Sequence, residues 1–67
     1  MAVLKVIEIL SNSNTSWEDA TAKAVEEASK TLNNISSVYV QDMSATVKDG
    51  KVDEYRVNLK ITFKLSR

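Results

Sequence analysis

Four carboxylates gather around one turn signal: Asp42, Asp49, Asp53 and Glu54 lie on either side of Asp49-Gly50 or within it. Oxygen donors of this kind suit a hard cation such as calcium or magnesium, which needs neither His nor Cys. Their spacing does not follow a calcium loop, so within one chain solvated charge and turn chemistry account for them. One carboxylate repeated around a symmetry axis would still supply several ligands at once. Nucleophilic chemistry has less to work with, because the chain has no Cys and no His. Ser11, Ser13, Ser16, Ser36 and Ser37 fall in predicted loops or caps, where serine is favoured for backbone hydrogen bonding and lacks a positioned base. An enzyme is not expected. Trp17 is the only Trp and, as a flat aromatic, could stack on a planar cofactor, but it sits on an apolar helix stripe where core packing is the default. Tyr39 and Tyr55 offer the same two roles. Gly50 is the sole glycine and belongs to the turn, so there is no glycine-rich phosphate loop.

These residues are carried by a single domain, residues 1–67. A lone domain of this size buries only about 60% of the surface its unfolded chain exposes, and disulfides and the usual zinc or haem ligand sets are excluded by composition. Oligomerisation is the remaining way to gain stability. Nine basic and nine acidic residues cancel, leaving no field that would collect nucleic acid or an anionic membrane. The apolar run from Val3 to Leu10 contains Lys5 and Glu8 and is too short to span a bilayer. The reading is a soluble, cytoplasmic protein.

The elements follow from patterning. Val3 to Leu10 is β-branched and apolar at both parities apart from Lys5 and Glu8, as in a strand covered on both faces, and Ser11 to Ser16 reads as a polar loop. Thr15 with Glu18, or Ser16 with Asp19, has capping-box spacing for a helix starting near Trp17. Trp17, Ala20, Thr21, Ala24, Ala28, Thr31 and Leu32 form its apolar stripe, widened by Val25, and the helix is predicted to end about Asn33-Asn34. Ser37 to Val47 is the second strand. Lys48-Asp49-Gly50-Lys51 is a hairpin turn, whose simplest register pairs Lys48 with Lys51 and Met43 with Arg56 unless a bulge intervenes.

From Tyr55 to Leu65 apolar and polar residues alternate strictly, which marks a strand of roughly 36 Å at ~3.3 Å per residue. Tyr55, Val57, Leu59, Ile61, Phe63 and Leu65 face the helix; Arg56, Asn58, Lys60, Thr62 and Lys64 face away. A crossover helix makes the first two strands parallel, and the hairpin makes the third antiparallel to the second, so the third belongs in the middle. The fold class is α+β: β-α-β-β, a three-stranded antiparallel-type sheet packed on one helix, with one sheet face left for partners or ligands.

Taken together, Lys5-Val6-Ile7-Glu8, Ser13 to Ala20, Ala28-Ser29-Lys30-Thr31-Leu32, Asp49-Gly50-Lys51-Val52, Tyr55-Arg56-Val57 and Phe63-Lys64 resemble the dodecins over essentially the whole chain. Dodecins are small β-α-β-β proteins that assemble as hollow dodecamers of cubic symmetry, and many bind flavins in pairs between subunits. The resemblance implies a homododecamer acting in ligand binding or sequestration. In flavin-binding dodecins a Trp at the start of the second strand stacks on the isoalloxazine ring and a Gln on the third hydrogen-bonds its polar edge. Ungapped alignment through Thr31-Leu32 and Asp49-Gly50 puts Ser37 at the Trp position and Arg56 at the Gln position. Lys64 falls where bacterial members carry a basic contact to phosphate. The chain therefore resembles the subset without the stacking Trp, and Ser37, Arg56 and Lys64 are the candidate cofactor-binding residues. Their chemistry implies an FMN or riboflavin site that is altered or lost; a flavin-storage shell, a shell binding calcium or another ion, and a purely structural shell are the alternatives.

Overall fold

The computed structural model describes residues 3–65. Its elements run β1 (Leu4–Ser13), α1 (Trp17–Ala28), β2 (Ile35–Lys48) and β3 (Lys51–Lys64). The sheet order is β1-β3-β2, with β3 antiparallel to both neighbours, as the connection rules predict. The helix packs on one face. Val57, Leu59 and Ile61 of β3 are fully buried there together with Ala20, while Ala24 and Phe63 are nearly so. Alanine on the helix lets it lie close to the sheet, and the alternation of β3 supplies the larger side chains.

Several boundaries differ from the sequence expectation, β2 among them, which runs from Ile35 to Lys48 rather than from Ser37 to Val47. β1 runs to Ser13, so Ser11 to Ser13 are strand rather than loop. Ser11 and Ser13 keep the parity of Ile7 and Ile9, and their hydroxyls are satisfied by the helix end instead of by water. Ser11 Oγ donates to the Ala20 carbonyl at 2.8 Å and Ser13 Oγ donates to Asp19 Oδ2 at 2.6 Å. The helix proper stops at Ala28, earlier than Asn33-Asn34, because Ser29 turns its hydroxyl back on the Val25 carbonyl at 2.7 Å and the next amides close three-residue turns. Asn34, with φ of 64°, then takes the left-handed conformation that redirects the chain into β2. Leu65 lies past β3 and is exposed, with its amide bonded to the Val3 carbonyl, rather than packed on the helix.

The hairpin register also shifts. Lys48 pairs with Lys51 as expected, around Asp49 and Gly50 at positive φ. Asp53 then bulges out of β3, so Met43 faces Val57 and Arg56 faces Ser44. Further irregularities fall at Gln41 and Ser36 on β2. Such extra residues twist an edge strand and blunt it against edge-to-edge pairing.

Ser16 caps the helix, its Oγ accepting the Asp19 amide at 2.9 Å. Buried Ser13 accepts the Thr15 amide at 2.9 Å while donating to Asp19, whose Oδ2 also lies 3.2 Å from Lys23 Nζ. The Ser13 hydrogen bond, helped by Lys23, holds the Asp19 carboxyl below its ordinary value of 3.8. A depressed folded pKa means the carboxylate's contribution to stability is complete above the unfolded value and is lost as pH falls through the folded one. The urea midpoint of Asp19→Asn, compared with that of the parent, is expected to be lower at neutral pH, the gap closing only below about pH 4.

Candidate functional site

The face of the sheet turned away from α1 is built by register alone. Across β1, β3 and β2 its rows run Val6-Thr62-Ser37, Glu8-Lys60-Tyr39, Leu10-Asn58-Asp42 and Asn12-Arg56-Ser44, with Leu4-Lys64 at one end. All three candidate binding residues, Ser37, Arg56 and Lys64, stand on this face and are exposed. They do not converge within one chain. Ser37 and Lys64 lie at neighbouring rows, whereas Arg56 is six residues along β3 from Thr62, about 20 Å away.

Arg56 is not a free cation. Its Nε donates to Asn12 Oδ1 at 3.0 Å, and Asn12 Nδ2 donates to Glu54 Oε1 at 3.1 Å. Asn12 thus holds the guanidinium on the face and couples it to a carboxylate. Sequence reasoning placed Asn12 in a loop and missed this role; the signal was its parity, since a strand extended to Ser13 puts Asn12 beside Arg56.

Two further features shape the face. Trp17, Tyr55 and Phe63 belong to the helix side, which leaves Tyr39 as the one aromatic on this side. Trp17 is tied down: its indole N–H donates to the Ser44 carbonyl at 2.8 Å and its ring meets Tyr55 edge-on at 4.9 Å. Asn58 Oδ1 is buried in the row between Leu10 and Asp42 and has no hydrogen-bond partner among the described residues. Leu4, Val6 and Leu10 of β1 are more than half exposed, so β1 is covered on its helix side only within one chain.

The carboxylates around the hairpin are dispersed by the same register. Asp42 lies opposite Asn58, Asp49 is in the turn, Asp53 is the bulged residue and Glu54 is engaged by Asn12. Among the described residues no group of three or more acidic side chains is gathered as a metal site. A cation held by these residues would have to draw ligands from more than one copy.

A separate groove of about 680 Å³ opens on the helix side, between the first turns of α1 and the Val40–Met43 stretch of β2. Trp17, Ala22, Val40 and Met43 are among its lining residues. Among the described residues no helix is long and apolar enough to cross a membrane.

Comparison with known proteins agrees with this architecture. The family model described as Dodecin matches residues 3–66. A protein of Mycobacterium tuberculosis named calcium dodecin is 43% identical over 67 residues, spanning 97% of this chain and 92% of its own. Among solved structures, dodecin from Streptomyces coelicolor superposes with a TM-score of 0.93 at 29% identity, covering 98% of this chain and 94% of that one. A crystal structure of the calcium dodecin of M. tuberculosis, described as calcium chelating with a novel calcium-binding site, gives 0.84 at 38% identity over 98% and 97% of the two chains.

Proposed function

Since the chain belongs to the dodecin family, we propose that it works as a cytoplasmic, non-catalytic homododecameric shell that binds or sequesters a small ligand, with the flavin site of its relatives altered or lost. The observation that carries this reading is the helix-free face. The residue at the stacking position is Ser37, which has no ring, and the single aromatic on the face, Tyr39, is in register with Lys60 instead. Arg56 replaces an acceptor with a group that only donates, and its Nε is already committed to Asn12. An aromatic stack is worth about 1 kcal/mol beyond buried area, and in a symmetric pair it is missing twice. Lys64, exposed beside the Ser37 row, retains a cation for a phosphate-bearing ligand.

A second reading, ion binding between subunits, is favoured by the calcium dodecin relative and by oxygen donors on the same face. Asp42 stands beside Asn58, whose amide oxygen is buried without a partner, and both are ligand types a hard cation accepts. Titration of the size-verified oligomer with FMN, riboflavin and calcium separates the readings. We expect protein that is colourless as purified and leaves flavin fluorescence unquenched. Visible flavin bands that survive dialysis would restore the storage reading, and calorimetric heat with calcium alone would select the ion.

A further inference from the structure

The tip of the β2–β3 hairpin places a carboxyl and a backbone amide side by side with nothing to occupy either. Asp49 and Gly50 stand at positive φ, 53° and 76°, the conformation of a tight two-residue hairpin turn, and both are exposed. Among the described residues the Gly50 amide donates no hydrogen bond and the Asp49 carboxyl joins no ion pair. No atom lies within 4 Å of the position a Cβ on Gly50 would take, so that amide is open to approach.

Three other Asp and Asn positions are blocked. The amide that follows Asp53, that of Glu54, is held by Thr46 Oγ1 at 3.0 Å, and the amide that follows Asn14, that of Thr15, is held by Ser13 Oγ at 2.9 Å. Asp19 precedes the helical Ala20 amide, which is bonded to the Ser16 carbonyl at 3.1 Å, and its own carboxyl is engaged by Ser13 and Lys23. At the tip the turn must open before carboxyl and amide can meet, and the pair that closes it, Lys48 opposite Lys51, is of like charge. That repulsion makes opening easier.

We propose that Asp49 is a site of spontaneous isoaspartate formation in the folded protein. The Gly50 nitrogen attacks Asp49 Cγ; an N–Cγ bond forms, and the carboxyl hydroxyl leaves with the amide proton as water. Both groups belong to one dipeptide, so the step is unimolecular, and it closes a five-membered imide. Water then opens the ring at either carbonyl. Addition at Cγ returns aspartate, whereas addition at the main-chain carbonyl carbon leaves Gly50 linked through Cγ, with a new carboxylate on Cα. One water is released and one taken up, no electrons are exchanged, and no co-reactant is needed. The product has one more main-chain carbon in a turn whose length fixes the register, so Lys48 and Lys51 lose their pairing.

The whole protein, held for weeks at mildly acidic pH and physiological temperature with circular dichroism to confirm folding, provides the test. Isoaspartate is counted by labelling with an isoaspartate carboxyl methyltransferase and located by a protease that cuts before aspartate but not before isoaspartate. Resistance at Asp49 is expected to exceed that at Asp53 several-fold, with no change in mass. Asp49→Gly keeps a Gly-Gly turn and is expected to lose most of the label, while Asp49→Asn is expected to release ammonia through the same ring and gain an acidic band on isoelectric focusing. Equal resistance at Asp49 and Asp53, label that persists in Asp49→Gly, or an Asp49→Asn chain with no acidic band overturns the proposal. Absence of label from the folded chain overturns it as well, whether or not the urea-unfolded chain accumulates label.

Discussion

Leu59→Ala is expected to remove most of the stability of the folded chain. Leu59 is fully buried at the centre of β3, packed with Val57, Ala20 and Ala24. Truncating such a residue costs about 2–5 kcal/mol, because the transfer energy is lost and the cavity collapses only in part. A domain of 67 residues holds roughly 3–10 kcal/mol in all. Neighbouring alanines offer no larger side chain to refill the space. Urea denaturation at fixed protein concentration reads the loss, and a midpoint within experimental error of the parent would show that α1 does not seat on β3 as described. Leu10→Ala is the informative contrast. Leu10 is 65% exposed in the single chain, on the helix-free face. Any large cost there must come from contacts between subunits, and should appear as concentration dependence of the midpoint.

The second large effect is a gain. Ser37→Trp combined with Arg56→Gln is expected to give a shell that quenches FMN fluorescence. The Trp restores one aromatic platform per subunit, and two facing subunits together supply about 2 kcal/mol, or roughly a 30-fold tighter Kd, before added apolar contact is counted. The Gln restores an acceptor that guanidinium cannot offer. It also releases Asn12 from Arg56 Nε. Both positions are exposed on the helix-free face, so neither change disturbs the core around Leu59. A doubly substituted shell of full size that still leaves FMN unquenched would mean that Ser37 and Arg56 do not border the ligand space.

The two results bear on different levels of the molecule. The first concerns the apolar side of β3, which makes the chain a folded unit. The second concerns its polar side, which α1 does not cover. In the proposed shell of identical subunits, a single substitution on that side would be repeated in every copy.

Much of this was legible in the residues. Tyr55 to Lys64 alternates so strictly that strand and buried face follow from the parity, and the crossover helix together with the hairpin puts that strand in the middle of the sheet. Asp49-Gly50 marked the hairpin, and Thr15 with Glu18 or Ser16 with Asp19 marked the helix start, of which the structure uses Ser16. The dodecin pattern was equally visible, since it is spread over local stretches that survive without any contact being known. Residues whose partners lie far away in sequence were not legible. Ser11 to Ser13 looked like a loop because short polar side chains ordinarily bond to nearby backbone, and only the helix end supplied other partners. Arg56 met Ser44 rather than Met43 because Asp53 is left unpaired, a choice between registers that differ by one residue.

Sequence by itself determined the element order and the buried side of β3, since each depends on residue type and on spacing along the chain. Only the tertiary structure decided that Asn12 holds Arg56 and that the hairpin carboxylates do not gather within one chain. Those are matters of distance between strands. Distance is set by register, bulges and packing, and no local pattern of residue types carries it.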